Sequence, residues 1–256
     1  MAVKTLCCIL LLGFLASSAH AETLRCARFS QDPLPAPEPR SANWPLRRLA
    51  TIQTAVKSEP YRVLFLGDSL VEHFHIGAGA PVWQAQIAPR GVLDAGVSGD
   101  RTEHLLWRLD NGTLAGPAPR AVVVLIGTND LSYHRSPADT ADGIRQVLLE
   151  LRQKLPKARI LLLGLWPRGE AADDPFRAEI ATVNRMIATC ADGRAIVYAD
   201  IGNSLLDRTG RLGAALAPDH LHPSEAGYAR LAPRLAALID RLLGPPLSGG
   251  GPTARR

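Results

Sequence analysis

Five short apolar runs, separated by helical patterns, constrain this chain more than any other feature. Arg62–Leu66, Val92–Ala95, Ala121–Ile126, Arg159–Leu165 and Ala195–Ala199 are rich in Val, Leu, Ile or Ala and carry few polar residues. A strand with one face in water alternates apolar and polar residues, whereas a run that is apolar throughout must be covered on both faces. Between the runs lie helical patterns at Thr102–Leu109, Ala138–Leu155 and Pro175–Ala191. A last one follows Pro223, where Leu231, Leu235, Leu238, Ile239 and Leu242 recur at helical spacing, with Pro233 placed to kink or split it. Strands alternating with helices predict a parallel sheet with helices on both faces. In such a sheet, ligands bind at the carboxyl ends of the strands, so functional residues are expected just after them.

The two ends of the chain read differently. Lys4, the apolar run Leu6–Leu15 and the small-x-small Ala19-His20-Ala21 form the pattern of a secretory signal peptide over residues 1–21, cut after Ala21. The apolar run is about half the ~20 residues that span a bilayer, and no later stretch is apolar enough, so no transmembrane segment is expected in the mature chain. The expected location is periplasmic or secreted. Proline occupies every second position from Pro33 to Pro39, which favours extended backbone and excludes helix. Residues 22–43 are therefore expected to form an N-terminal arm, residues 44–243 the α/β domain, and residues 244–256, rich in Gly and Pro, a disordered tail.

Charge narrows the partners. Of the 29 Lys and Arg residues, Lys4 leaves with the leader, so 28 remain against 24 acids. That excess is small and scattered, with no basic run, and gives no nucleic-acid signal. Cys7 and Cys8 also leave with the leader. Cys26 and Cys190 remain, and in an oxidising compartment they can form a disulfide or persist as free thiols.

Four short motifs stand where chemistry is expected. Gly67-Asp68-Ser69-Leu70 follows the first strand and presents a serine at the crevice, although an Asp or Ser there also suits a helix cap. It is not the G-x-S-x-G elbow, because Val71 stands at the last position. Gly96-Val97-Ser98-Gly99-Asp100 follows the second strand, and Gly127-Thr128-Asn129-Asp130 the third. Asp219-His220-Leu221-His222-Pro223 precedes the last helix, with Asp219 close enough in sequence to hold one ring nitrogen of His222 and leave the other for a serine proton. A metal site would need further ligands; His73 and His75 are available, but no tight ligand motif is present. His220 is the rival base, and Asp68 and Asp200 are rival acids.

Taken together and in this order, the motifs resemble the four blocks of the SGNH/GDSL hydrolase family, carried by Ser69, Gly99, Asn129 and His222. The likeness runs from about Val63 to Leu242. It implies an α/β fold, a flavodoxin-like three-layer α/β/α sandwich with a five-stranded parallel sheet. A narrower likeness lies in Gly99–Leu109 and Leu163–Glu170, which are similar to the platelet-activating-factor acetylhydrolase Ib catalytic-subunit branch. The resemblance implies a serine esterase for short-chain, acetyl esters. Ser69 is then the nucleophile, His222 the base and Asp219 its orienting acid. The oxyanion hole is formed by the backbone N–H groups of Ser69 and Gly99 and the Asn129 amide, with no metal or organic cofactor. The expected partner is a small-molecule or glycan ester. Two other readings remain: a carbohydrate or peptidoglycan O-acetylesterase, and a glycan-binding protein on the same fold. A nucleotide binder is disfavoured, since no P-loop and no intact G-x-G-x-x-G follow a strand.

Overall fold

A computed structural model describes residues 24–244 of the protein. The leader expected over residues 1–21, and the tail expected over residues 244–256 apart from Gly244, lie outside the described residues. The elements in chain order are α1 (Asn43–Ser58), β1 (Val63–Gly67), α2 (Ser69–Ile76), α3 (Ala80–Val82), β2 (Val92–Gly96), α4 (Thr102–Arg108), β3 (Ala121–Leu125), α5 (Thr128–Ser132), α6 (Pro137–Lys154), β4 (Arg159–Leu163), α7 (Pro175–Ala188), β5 (Ile196–Ala199) and α8 (Glu225–Leu243).

The five strands form one wholly parallel sheet in the order β2-β1-β3-β4-β5. Every residue of β1, β2 and β3 is buried, as their unbroken apolar composition requires. Helices α2, α3 and α8 pack together on one face, and α4, α6 and α7 pack side by side on the other. The sandwich and its strand count agree with the expectation from sequence. Asp94, the one acid inside an apolar run, is buried at 5% exposure. Its carboxylate is met by Arg48 at 2.5 Å, by His75 at 3.2 Å and by the N–H of Gly96 at 2.7 Å, so the buried charge is paired and bonded.

Two helices show how local sequence and packing combine. In α1, which precedes the strand–helix alternation, Pro45, Leu49, Ile52 and Val56 fall on one stripe and are buried. Each such aliphatic side chain contributes roughly 1.5–3 kcal/mol on burial. In α8, Pro233 does not split the helix into two: it lies on the exposed side, and the helix runs unbroken to Leu243. Leu231, Leu235 and Ile239 fill the opposite side, and Tyr228 stacks on Phe74 with centroids 4.4 Å apart while its hydroxyl donates to Leu70 O at 2.9 Å.

The arm is bound to the body. A disulfide joins Cys26 to Cys190, just beyond α7, with their Cα atoms 4.4 Å apart. The N–H groups of Phe29 and Ser30 then donate to the buried carboxylate of Asp142 in α6, at 2.9 and 2.8 Å. Residues 31–39 are mostly exposed, and the segment reaches the crevice at Arg40. Among the described residues no helix is long and apolar enough to cross a membrane.

Candidate active site

The crevice forms where β1 and β3, adjacent in space, send their chains to opposite sides of the sheet. β1 ends at Gly67, where an added Cβ would strike the Leu125 carbonyl and the Val71 side chain, so only glycine lets the chain turn there. Asp68 caps α2, its Oδ1 accepting from the Leu70 N–H at 2.9 Å. Ser69 is therefore the first helical residue. The cap and the serine at the crevice are two adjacent residues, and both readings of that motif hold.

Ser69 Oγ lies 2.8 Å from His222 Nε2, and His222 Nδ1 lies 2.6 Å from Asp219 Oδ2. The other Asp219 oxygen accepts the N–H groups of Leu221 at 3.1 Å and His222 at 2.7 Å. Against the desolvation of partial burial, these bonds from the ring and backbone hold the Asp219 carboxyl down at about 2. A carboxylate held ionised there fixes the imidazole with Nδ1 protonated and leaves Nε2 free to accept a proton.

The rivals are placed elsewhere. His220 takes a left-handed φ of 54°, and its Nδ1 faces Leu212 O at 2.9 Å while its carbonyl accepts from the Gly169 N–H. Asp68 points into the interior. Asp200 accepts from the Gly202 N–H at 3.2 Å and faces the Asn184 amide at 3.5 Å. Neither candidate metal histidine joins a ligand cluster: His75 pairs with Asp94, and the His73 ring packs on that of His222 with centroids 4.9 Å apart. Burial, and then the charge His222 would carry, push the His73 pKa down. Glu38, Glu103 and His104 do converge, but Glu103 is already paired with Arg101 and Arg135.

The three residues expected to supply donors, Ser69, Gly99 and Asn129, each follow the end of a strand, β1, β2 and β3. Among the described residues, neither the Ser69 N–H nor the Gly99 N–H has a protein acceptor. Gly99 has a φ of +78°, a conformation in which any other L-residue is strained. One amide hydrogen of Asn129 already donates to the Asp100 carbonyl at 2.9 Å, so the side chain is oriented and a single N–H is left for a ligand.

Beneath these donors lies a layer of buried charge that the sequence motifs do not announce. Glu72 accepts from both the N–H and the hydroxyl of Ser98, each at 2.6 Å. Arg108 bonds the Asp100 carboxylate at 2.7 Å and the Gly67 carbonyl at 2.8 Å. Asp130 accepts from Thr102 Oγ1 and from Arg135, each at 2.7 Å. Burial pushes the Asp68 carboxyl up to about 7, with Asp100 and Asp130 adding to the rise. It lifts Asp100 and Asp130 to about 6 in spite of their arginine partners. Across the crevice Arg168, after β4, bonds Ser132 Oγ at 2.5 Å and stacks on the Phe176 ring at 4.0 Å.

A cavity of about 410 Å³ opens between α7 and β5, lined by Leu165, Ile180, Asn184, Tyr198 and Asp200 among others; it includes none of Ser69, His222 and Asp219.

Known proteins resemble the chain in sequence and in fold. The model of the GDSL-like lipase/acylhydrolase family matches residues 65–230. Human platelet-activating factor acetylhydrolase IB subunit alpha1 is 32% identical over 197 residues, covering 77% of this chain and 83% of that protein. The rat alpha2 subunit is 34% identical over 182 residues, covering 71% and 77%. Among solved structures, a GDSL-like lipase from Bacteroides thetaiotaomicron superposes with a TM-score of 0.62 at 22% identity, covering 78% of this chain and 98% of that one. An acetylxylan esterase from Geobacillus stearothermophilus gives a TM-score of 0.57 at 23% identity, covering 72% and 95%.

Proposed function

The chain belongs to the GDSL-like lipase/acylhydrolase family and is a carboxylic ester hydrolase, and from that premise we propose that it removes acetyl groups from esters through a Ser69–His222–Asp219 triad. The observation that carries the assignment of roles is the unbroken chain from Ser69 Oγ through His222 to Asp219, at 2.8 and 2.6 Å. His222 Nε2 takes the serine proton as Oγ attacks the ester carbonyl, and Asp219 stabilises the imidazolium that results. The oxyanion then accepts hydrogen bonds from the N–H groups of Ser69 and Gly99 and from the free N–H of the Asn129 amide. The loss of one such donor typically costs ~10²–10³-fold in turnover. His222 returns the proton to the departing alcohol. Water, deprotonated by the same imidazole, frees Ser69 from the acyl-enzyme.

Acetyl is the acyl group that the relatives' names carry. The alpha1 and alpha2 subunits and the acetylxylan esterase are named for very different alcohols, a lipid and a glycan, but for the same acyl group. The Ala19-His20-Ala21 pattern and the Cys26–Cys190 bridge together support export to an oxidising compartment. The test is a series of p-nitrophenyl acetate, butyrate and octanoate, with Ser69→Ala as the control. The expected result is Ser69-dependent release with the highest kcat/KM for acetate. A higher kcat/KM for octanoate overturns the acetyl assignment, and release that survives Ser69→Ala overturns the nucleophile.

A further inference from the structure

Arg40 belongs to no helix or strand, precedes the residues the family model matches, and yet ends at the crevice. Its guanidinium donates from Nη1 to the carbonyl of Gly99. It also covers the glycine closely: a Cβ placed on Gly99 would lie 2.7 Å from Arg40 Nη1 and 3.0 Å from Nη2. Two residues earlier on the arm, Glu38 faces Arg101 at 3.5 Å and His104 at 3.7 Å, so the arm meets both ends of the Gly99–His104 segment.

The segment after β2 is held at several of its polar groups. Ser98 is bound by Glu72, the Asp100 N–H donates to Val97 O at 3.1 Å, the Asp100 carbonyl accepts from Asn129, and the Gly99 carbonyl accepts from Arg40. Among the described residues the Gly99 N–H has no protein acceptor. A glycine at positive φ has the widest choice of backbone conformations of any residue, so its peptide planes turn unless something fixes them. The charge-assisted bond to the Gly99 carbonyl adds to the Asp100 N–H bond in holding the Gly99–Asp100 peptide plane. The Ser98 N–H bond to Glu72 holds the residue before it, and together these bonds narrow the directions open to the Gly99 N–H.

We infer that Arg40, brought in on the disulfide-anchored arm, is a positioning residue that aims the Gly99 N–H at the oxyanion. The inference rests on the esterase reading above, because only an acyl-transfer reaction develops charge at that point. Donors that are already aimed lower the barrier without reorganising during the reaction, so loss of the aim appears in kcat. Binding of the uncharged ester depends little on it, so KM is spared.

The experiment compares wild type, Arg40→Ala and Arg40→Lys as mature, disulfide-bonded protein, on p-nitrophenyl acetate. Arg40→Ala is expected to lower kcat by about 10–100-fold with KM within about twofold. Ethylguanidinium at millimolar concentration should restore part of that loss in Arg40→Ala and none in Ser69→Ala. Arg40→Lys should lie between the two, since an ammonium keeps the charge and loses the planar fork. An unchanged kcat, a loss confined to KM, or a kcat loss that ethylguanidinium leaves untouched overturns the inference. Absence of Ser69-dependent turnover in the wild type is a separate pattern, and it overturns the esterase reading together with this inference.

Discussion

Asp219 grips His222 twice, taking the ring Nδ1 with one carboxylate oxygen at 2.6 Å and the main-chain N–H with the other at 2.7 Å. The acid thus sets the rotation of the imidazole and also the loop that carries it. Both contacts lie within Asp219–His222, so orientation of the base is a local property that any disturbance of the Gly213–Pro223 loop must work against.

The two grips separate on substitution. Asp219→Asn keeps an oxygen for the backbone N–H but offers the ring a neutral amide, which no longer favours the tautomer with Nδ1 protonated. Turnover is expected to fall by about 10⁴-fold, less than for Ser69→Ala, because the residue orients and does not react. Parallel kcat measurements on the two variants check this. Equal losses would place Asp219 in the proton transfer itself.

Asp68 gives a stability prediction with a definite sign. Its carboxyl stands at about 7 in the folded protein against an ordinary 3.8, with burial the largest cause. Between those values the folded protein holds a proton that the unfolded chain has released, so this contribution is complete below the ordinary value and is lost as the pH rises through about 7. Asp68→Asn keeps the acceptor for the Leu70 N–H and cannot ionise. The expected result is a Tm advantage over wild type that is small near about pH 5 and larger by several degrees near about pH 8. Thermal melts at the two pH values decide it, and a Tm difference that does not widen with pH counts against a buried, proton-holding Asp68.

The disulfide closes a loop spanning 164 positions. In the chain-entropy account a loop that long stabilises by up to about 5 kcal/mol. Cys26→Ser/Cys190→Ser is expected to melt lower by on the order of 10 °C, for a domain of this size. Thiol titration of denatured, unreduced mature protein should find no free thiol. Two free thiols, or an unchanged Tm in the double variant, refute the contribution.

Much of this molecule is legible from sequence because its signals are local or periodic. All five apolar runs became strands within a residue or two at either end, since a strand buried on both faces leaves no other composition available. Ser69, Asp219 and His222 sit in short motifs, and Asp219 and His222 bond within one turn of chain. What was hidden is long-range. Asp100, Asp130 and Glu72 look like ordinary surface acids, and only their packing under the crevice makes them buried partners of Arg108, Arg135 and Ser98. The stripe of α1 was readable from Leu49, Ile52 and Val56, yet it stands outside the strand–helix alternation that organises the rest. Arg40 carried no signal, because Gly99 lies 59 positions away and the alternating prolines before Arg40 say only that the arm is extended.

The route of the arm also sets an order of events during synthesis. Cys26 emerges early, but its partner follows α7, after four of the five strands have been made. Pairing across so long a span waits on the rest of the fold. A completed chain whose bridge is still open holds the triad, while the arm that carries Arg40 rests on its contacts with Asp142, Arg101 and His104. Full turnover, on the inference above, then waits for closure of the bridge, a step later than assembly of the triad itself.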